Sequence, residues 1–167
     1  MIKVFTDGAC TSSGVHKGLG GWAFVMFDTE GKSEFEHAGG ATDTTNNRME
    51  MEAVIQALQH IVHTKHLYES DSRVLFFSDS NLIVETLKKD GSWQRKSNFD
   101  KWEEIDQLIT LLITLGFDID FTWVKAHDDK NQAESARFNK RADKLATKAR
   151  DTMKEFAGNH QPEHAWL

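Results

Sequence analysis

The chain is 167 residues long with a formal net charge of −6, one cysteine and one proline, which sets a single domain, large enough at about 150 residues to bury roughly 70% of its unfolded surface without staples. The lone Cys10 excludes an internal disulfide and fits a reducing compartment; no apolar run reaches the ~18 residues of a membrane span, and Met1-Ile2-Lys3-Val4-Phe5 reads as a strand rather than a signal peptide, so a cytoplasmic protein without a membrane partner is expected. The acidic balance argues weakly against a nucleic-acid partner, because phosphate contacts need Lys and Arg, but the distribution of charge outweighs its sum.

Residues 2–6 alternate and run into Asp7-Gly8, predicting a strand ending in a turn, and the Gly-, Ser- and Thr-rich stretch 8–21 predicts a loop. Trp22, Phe24 and Met26 alternate with Ala23, Val25 and Phe27, predicting a strand buried on both faces; Glu30-Gly31-Lys32 reads as a turn and 33–39 as its hairpin partner. Asp43-Thr44-Thr45-Asn46 offers N-caps for a helix over about 45–63, whose stripe is Met51, Val54, Ile55, Leu58, Ile61 and Val62, with Glu50 bordering the buried face. Val74-Leu75-Phe76-Phe77 predicts a central strand ended by Ser78-Asp79-Ser80, followed by a short helix from Asn81 to Lys88 and a polar break over 89–98. Phe99, Trp102, Ile105, Ile109 and Leu112 mark a helix to about 115, capped by Gly116. Phe117, Ile119, Phe121 and Trp123 then alternate inward along a half-buried strand. A last helix over about 134–155 turns Phe138, Ala142, Leu145 and Ala149 inward, with Asp143 flanking that stripe and Asn139 one turn earlier, and a tail follows. The order β-β-β-α-β-α-α-β-α predicts an α/β fold with a mixed sheet flanked by helices, and sites in such sheets form where strands end and helices begin.

Four carboxylates stand at the edges of these apolar elements: Asp7, Glu50, Asp79 and Asp143. Burying one such ion alone is prohibitive, so four near one core point to a bound cation. Hard divalent cations take oxygen ligands, Mg²⁺ at ~2.0–2.1 Å, and two of them ~3.5–4 Å apart suit in-line phosphoryl displacement. No Cys/His cluster at zinc spacing, no phosphate-binding Gly-Lys-Ser/Thr loop and no nucleophile elbow competes with that chemistry. Taken singly, Asp7 could be a turn residue, Asp79 a helix N-cap, Glu50 an exposed helix residue and Asp143 a partner of Arg141 or Lys144. Their joint occurrence in five ordered contexts is what outweighs those readings.

Those contexts are Phe5-Thr6-Asp7-Gly8-Ala9-Cys10, Thr44-Thr45-Asn46-Asn47-Arg48-Met49-Glu50, Ser78-Asp79-Ser80, Trp123-Val124-Lys125-Ala126-His127 and Asn139-Lys140-Arg141-Ala142-Asp143-Lys144-Leu145-Ala146. In that order the chain resembles the type 1 ribonuclease H family over about residues 1–150. The resemblance implies a ribonuclease H-like α/β fold with a five-stranded mixed sheet, a catalytic domain over 1–155 and a C-terminal tail over 156–167. It implies a monomeric endonuclease that hydrolyses the RNA strand of RNA–DNA hybrids with two Mg²⁺ ions, Mn²⁺ as a substitute, leaving 3′-hydroxyl and 5′-phosphate ends. Asp7, Glu50, Asp79 and Asp143 match the family's metal ligands, and His127 matches a histidine that assists proton transfer or product departure. Gly8, Cys10, Asn47 and Asn81 match positions near the RNA strand, where the 2′-hydroxyl is sensed. Thr45 and Asn46 match positions that hold a DNA-strand phosphate, Asn139 matches the asparagine of the closing motif, and Arg48 adds positive potential. Two features depart from the pattern. The basic segment Lys88-Lys89-Asp90-Gly91-Ser92-Trp93-Gln94-Arg95-Lys96 is short, a reduced hybrid-binding handle that keeps Trp93, and the stretch from His127 to Asp143 is longer than the pattern. The competing readings are a DNA-processing nuclease on the same fold and a hybrid-binding module without catalysis.

Overall fold

The alternation at the start of the chain becomes β1, Ile2–Cys10, in the computed structural model, which describes residues 1–29, 34–68, 72–128, 130–131 and 133–159. Along β1, Ile2 and Val4 point into one apolar layer and Phe5 and Ala9 into another, so the strand is covered on both faces. It pairs antiparallel with β2, Gly20–Asp28, which pairs antiparallel with β3, Glu34–Ala41. On the other side β1 pairs in parallel with β4, Arg73–Ser78, and β4 with β5, Asp118–Trp123. The result is a five-stranded mixed sheet in the order β3-β2-β1-β4-β5. The turn expected at Glu30-Gly31-Lys32 lies outside the described residues.

Helix α1, Asn46–His63, starts at Thr45, whose Oγ1 accepts the Arg48 backbone N–H at 3.2 Å. Its buried stripe packs on β1 and β2, with α3, Phe99–Thr114, outside it and α2, Asn81–Leu87, against β5. The opposite face carries α4, Glu134–Asn159, through Ala142, Ala146, Phe138 and Leu145. Phe138 stacks on Phe27 at 4.6 Å and on Phe5 at 5.3 Å, while Phe5 stacks on Phe77 at 4.6 Å, which anchors the first turns of α4 beside the ends of β1 and β4. Trp22, Phe24 and Met26 join the α1 layer and Ala23 and Val25 the α4 layer, as two-sided burial of β2 requires.

Several expected boundaries shift. β1 does not end before Asp7. It continues to Cys10 because Asp7, Gly8, Ala9 and Cys10 find ladder partners in Ala23, Trp22, Gly21 and Gly20. The loop is therefore 11–19, closed by Thr11 N–H to the Leu19 carbonyl at 3.0 Å and Gly18 N–H to the Thr11 carbonyl at 2.9 Å. Gly20 and Gly21 belong to the strand, and a Cβ at Gly21 would lie 2.3 Å from the Ala146 carbonyl oxygen, so that glycine lets α4 lie directly on the sheet. α4 itself runs to Asn159, past the expected 155. Phe99 and Trp123 were expected inward, but they are 62% and 47% exposed. Phe99 opens α3 directly after Asn98, which holds a left-handed φ of 57°, and Trp123 closes an edge strand. No helix among the described residues is long and apolar enough to cross a membrane.

Candidate active site

Asp7 sits within β1 but beyond the last β1–β4 pair, Phe5 with Phe77. The β4 side of β1 is therefore free of ladder partners where Asp7 stands, and Asp79 follows immediately on the end of β4. Glu50 reaches the same point from the second turn of α1. This approach depends on Gly8, because a Cβ there would lie 2.4 Å from the Glu50 backbone nitrogen and 2.5 Å from the Met49 carbonyl carbon. One carboxylate oxygen from each of Asp7, Glu50 and Asp79 then lies within 4.8 Å of the others.

The electrostatics of the trio follow from its burial. Asp7 and Glu50 are 3% and 5% exposed. Burial, then the neighbouring Asp79, push the Asp7 carboxyl up to about 8, against hydrogen bonds from the Glu50 side chain and Gly8 N–H. Burial and then the Asp7 charge raise Glu50 well above the usual carboxylate range. Asp79 is raised by burial and then by Asp143, opposed by a side-chain hydrogen bond from Asn139. Glu50 Oε2 is buried with no hydrogen-bond partner. Three crowded carboxylates, with one Glu50 oxygen unpartnered, form a hard-oxygen donor set that a divalent cation fits and that is costly without one.

These residues floor a cleft of about 560 Å³. Of the residues expected from the sequence, Gly8, Cys10, Asn46, Asn47, Asn81, His127 and Asp143 line it together with the trio. Asp143 stands outside the tight cluster, half-buried, with its Oδ2 3.8 Å from His127 Nδ1. His127 is largely exposed and has a left-handed φ of 53°. Cys10 donates its thiol to the Thr44 carbonyl at 3.4 Å, and burial pushes that thiol up, away from nucleophilic use.

Three expected residues stand elsewhere. Asn139 is 3% exposed, hydrogen-bonds Asp79 through its side chain and does not line the cleft. Thr45 uses its hydroxyl to cap α1, beside the cleft. Trp93 lies in a neighbouring cleft of about 590 Å³ with Lys96 and Trp102, joined to the first through Asn47 and Leu82. The positive character expected nearby is also diminished. Arg48 turns to Asp100 and Asn98, Lys88 pairs with Glu85, Lys89 with Asp118 and Arg95 with Asp106. Two contributors were missed. Trp123 donates its indole N–H to the Asp79 carbonyl at 3.3 Å, and Arg150 lines the cleft. Arg150 was visible in the spacing, since Asn139, Asp143, Thr147 and Arg150 follow at i, i+4, i+8 and i+11 on one helix face.

A five-stranded mixed sheet with helices on both faces and a carboxylate cleft at the ends of β1 and β4 defines a ribonuclease H-like α/β domain. The comparisons agree with that class. The family model for RNase H matches residues 1–151. The chain is 32% identical over 168 residues to a ribonuclease H of Alcanivorax borkumensis, covering 94% of this chain and 96% of that one. It is 31% identical over 156 residues to ribonuclease HI of Campylobacter jejuni, covering 89% and 90%. Among solved structures, LC11-RNase H1 in complex with an RNA/DNA hybrid superposes with a TM-score of 0.70 at 25% identity, covering 91% of this chain and 98% of that one. The chain belongs to the RNase H family, as a type 1 ribonuclease H, and is an endoribonuclease.

Proposed function

We propose that the protein hydrolyses the RNA strand of RNA–DNA hybrids in a divalent-metal-dependent reaction, with Mg²⁺ as the working ion and Mn²⁺ as a substitute, leaving 3′-hydroxyl and 5′-phosphate ends. The observation that carries this reading is the trio of carboxylate oxygens within 4.8 Å at the floor of an open cleft, with Glu50 Oε2 unpartnered. The hybrid seen in the LC11-RNase H1 complex supports the substrate class. Asp7, Glu50 and Asp79 would hold the metal, with Asp143 completing the set from the cleft wall. When bound, a pair of such ions activates water and stabilises the leaving oxygen. His127, beside Asp143 at the exposed mouth, moves a proton to or from the reacting oxygen or helps the product leave.

Gly8, Cys10, Asn47 and Asn81 face the RNA strand in this reading, where a side chain can recognise the 2′-hydroxyl. Asn46, and Thr45 beside it, take a DNA-strand phosphate, and Trp93 offers a surface in the adjoining cleft. Residues 1–155 form the catalytic unit, a division that falls within α4, and the protein acts as a cytoplasmic monomer.

Digestion of a labelled RNA–DNA hybrid, with RNA–RNA and DNA–DNA duplexes as controls, tests this. Hybrid-specific cleavage in Mg²⁺ is expected, falling by roughly a hundredfold or more in Asp79→Asn. Cleavage of duplex DNA with hybrids spared would establish a DNA-processing nuclease instead, and an Asp79→Asn enzyme as active as wild type would sink the metal assignment.

A further inference from the structure

The cleft is acidic, yet its proposed substrate is a polyanion. Bound metal ions would neutralise the floor, but among the described residues lining the cleft only one carries a permanent positive charge, Arg150. The other basic residues near the two clefts are largely committed to carboxylates, as Arg48, Lys88, Lys89 and Arg95 show. Arg150 is differently placed. Its backbone is held against β2, where Gly21 leaves room for it, and its side chain is about one quarter exposed. Among the described residues its one side-chain hydrogen bond goes from Nε to Asp151 Oδ1 at 3.2 Å. A guanidinium has five donors, so the four on the Nη atoms remain to be used. The charge also reaches the cleft wall, where it lowers the Cys10 thiol against the larger effect of burial.

The position along α4 gives the distance scale. Arg150 follows Asp143 by seven residues, about 10 Å along the helix axis at ~1.5 Å per residue. A polynucleotide strand carries one phosphate per ~3.4 Å of duplex axis, so for a strand lying along α4 that rise spans about two to three nucleotides. We propose that Arg150 is a substrate-binding residue, its Nη groups holding a backbone phosphate of the strand being cut, two to three nucleotides from the scissile bond. This rests on the ribonuclease reading above. A planar fork of donors suits two phosphate oxygens at once, and its attraction is screened by salt, which gives the role a distinctive signature.

The test uses the full chain as wild type, Arg150→Gln and Arg150→Lys, with KM and kcat for a short RNA–DNA hybrid measured across a series of KCl concentrations. Arg150→Gln keeps the stem and removes the charge. It should raise KM roughly tenfold, the size of one charge-assisted hydrogen bond, with kcat changed much less. The slope of log KM against log salt should fall by about 0.7–0.9, one phosphate contact. Arg150→Lys should restore the salt slope and part of the affinity. Unchanged KM and slope in Arg150→Gln would overturn the assignment, as would equal defects in both variants, which would mark a packing role for the stem. A wild type that does not cleave hybrids would overturn the parent reading and this one together, whereas an active wild type with an indifferent Arg150 overturns this one alone.

Discussion

Asp7, Glu50 and Asp79 are set where the sheet and α1 pack together, whereas Asp143 and His127 complete the same cleft from its exposed side. The trio stands on β1, at the end of β4 and on α1, which packs against β1 at Gly8, with Asp7 and Glu50 nearly fully buried. His127 sits on the loop after β5, mostly exposed, with a backbone conformation that disfavours side chains, and meets Asp143 only at 3.8 Å. The difference separates two tasks. The buried half concentrates charge at the cost of stability, so that a cation is favoured there. The exposed half stands in contact with solvent at the cleft mouth, away from the core.

The largest effect should come from relieving the buried half. Asp7→Asn should stabilise the metal-free protein at pH 8 by on the order of 3 kcal/mol while abolishing cleavage. A carboxyl raised from its ordinary value to about 8 binds more protons folded than unfolded. Its contribution to stability is therefore present at low pH and lost as pH rises from about 4 towards 8. Urea unfolding in EDTA across that range should show wild type weakening more steeply than Asp7→Asn, and Mg²⁺ should recover the loss in wild type alone. A flat wild-type profile would contradict the crowding of charge at Asp7.

Gly8→Ala comes next. The added methyl meets backbone on α1, which cannot swing aside as a side-chain tip would, so a loss of about 1–3 kcal/mol is expected. Activity should fall with it, because Glu50 is displaced. A thermal melt and an assay at saturating Mg²⁺ check both, and an unchanged melting temperature would mean that the two elements can part freely.

On the exposed half, His127→Ala should lower kcat by roughly tenfold or more and leave the melting temperature nearly unchanged. A large loss of stability would show that the two halves are less separate than their burial indicates. Smallest of all, Trp123→Phe removes the indole N–H from the Asp79 carbonyl and should cost about 0.5–1.5 kcal/mol, with a modest loss of kcat. Retention of full activity would place Asp79 under the control of β4 and α2 alone.

Much of the fold was legible along the chain. The two-sided burial of β2, the stripe of α1 and the element order follow from local periodicity, which acts within a strand or a few helical turns. The family motifs around the carboxylates were legible for the same reason, since each is a short contiguous run. The extension of β1 through Cys10 was hidden because it depends on ladder partners ten or more residues away, and Gly21, which reads as loop, serves instead to admit α4. Trp123 and Phe99 looked like core residues because hydrophobicity reports a preference for burial and cannot say whether a partner is present to cover the ring. The deep burial of Asn139 was likewise invisible, as its neighbour Asp79 arrives from another element.

By itself, then, the sequence determined which residue types could gather metal and on which elements they ride, because helix and strand periods are local and the motifs are contiguous. Only the tertiary structure decided that β1–β4 pairing ends before Asp7, that Glu50 reaches this point over a glycine, and that Arg150 lines the cleft while Arg48, Lys88, Lys89 and Arg95 pair with carboxylates away from it. Those outcomes depend on distances between elements far apart in the chain, and burial, desolvation and charge pairing act across such distances only after the chain has folded.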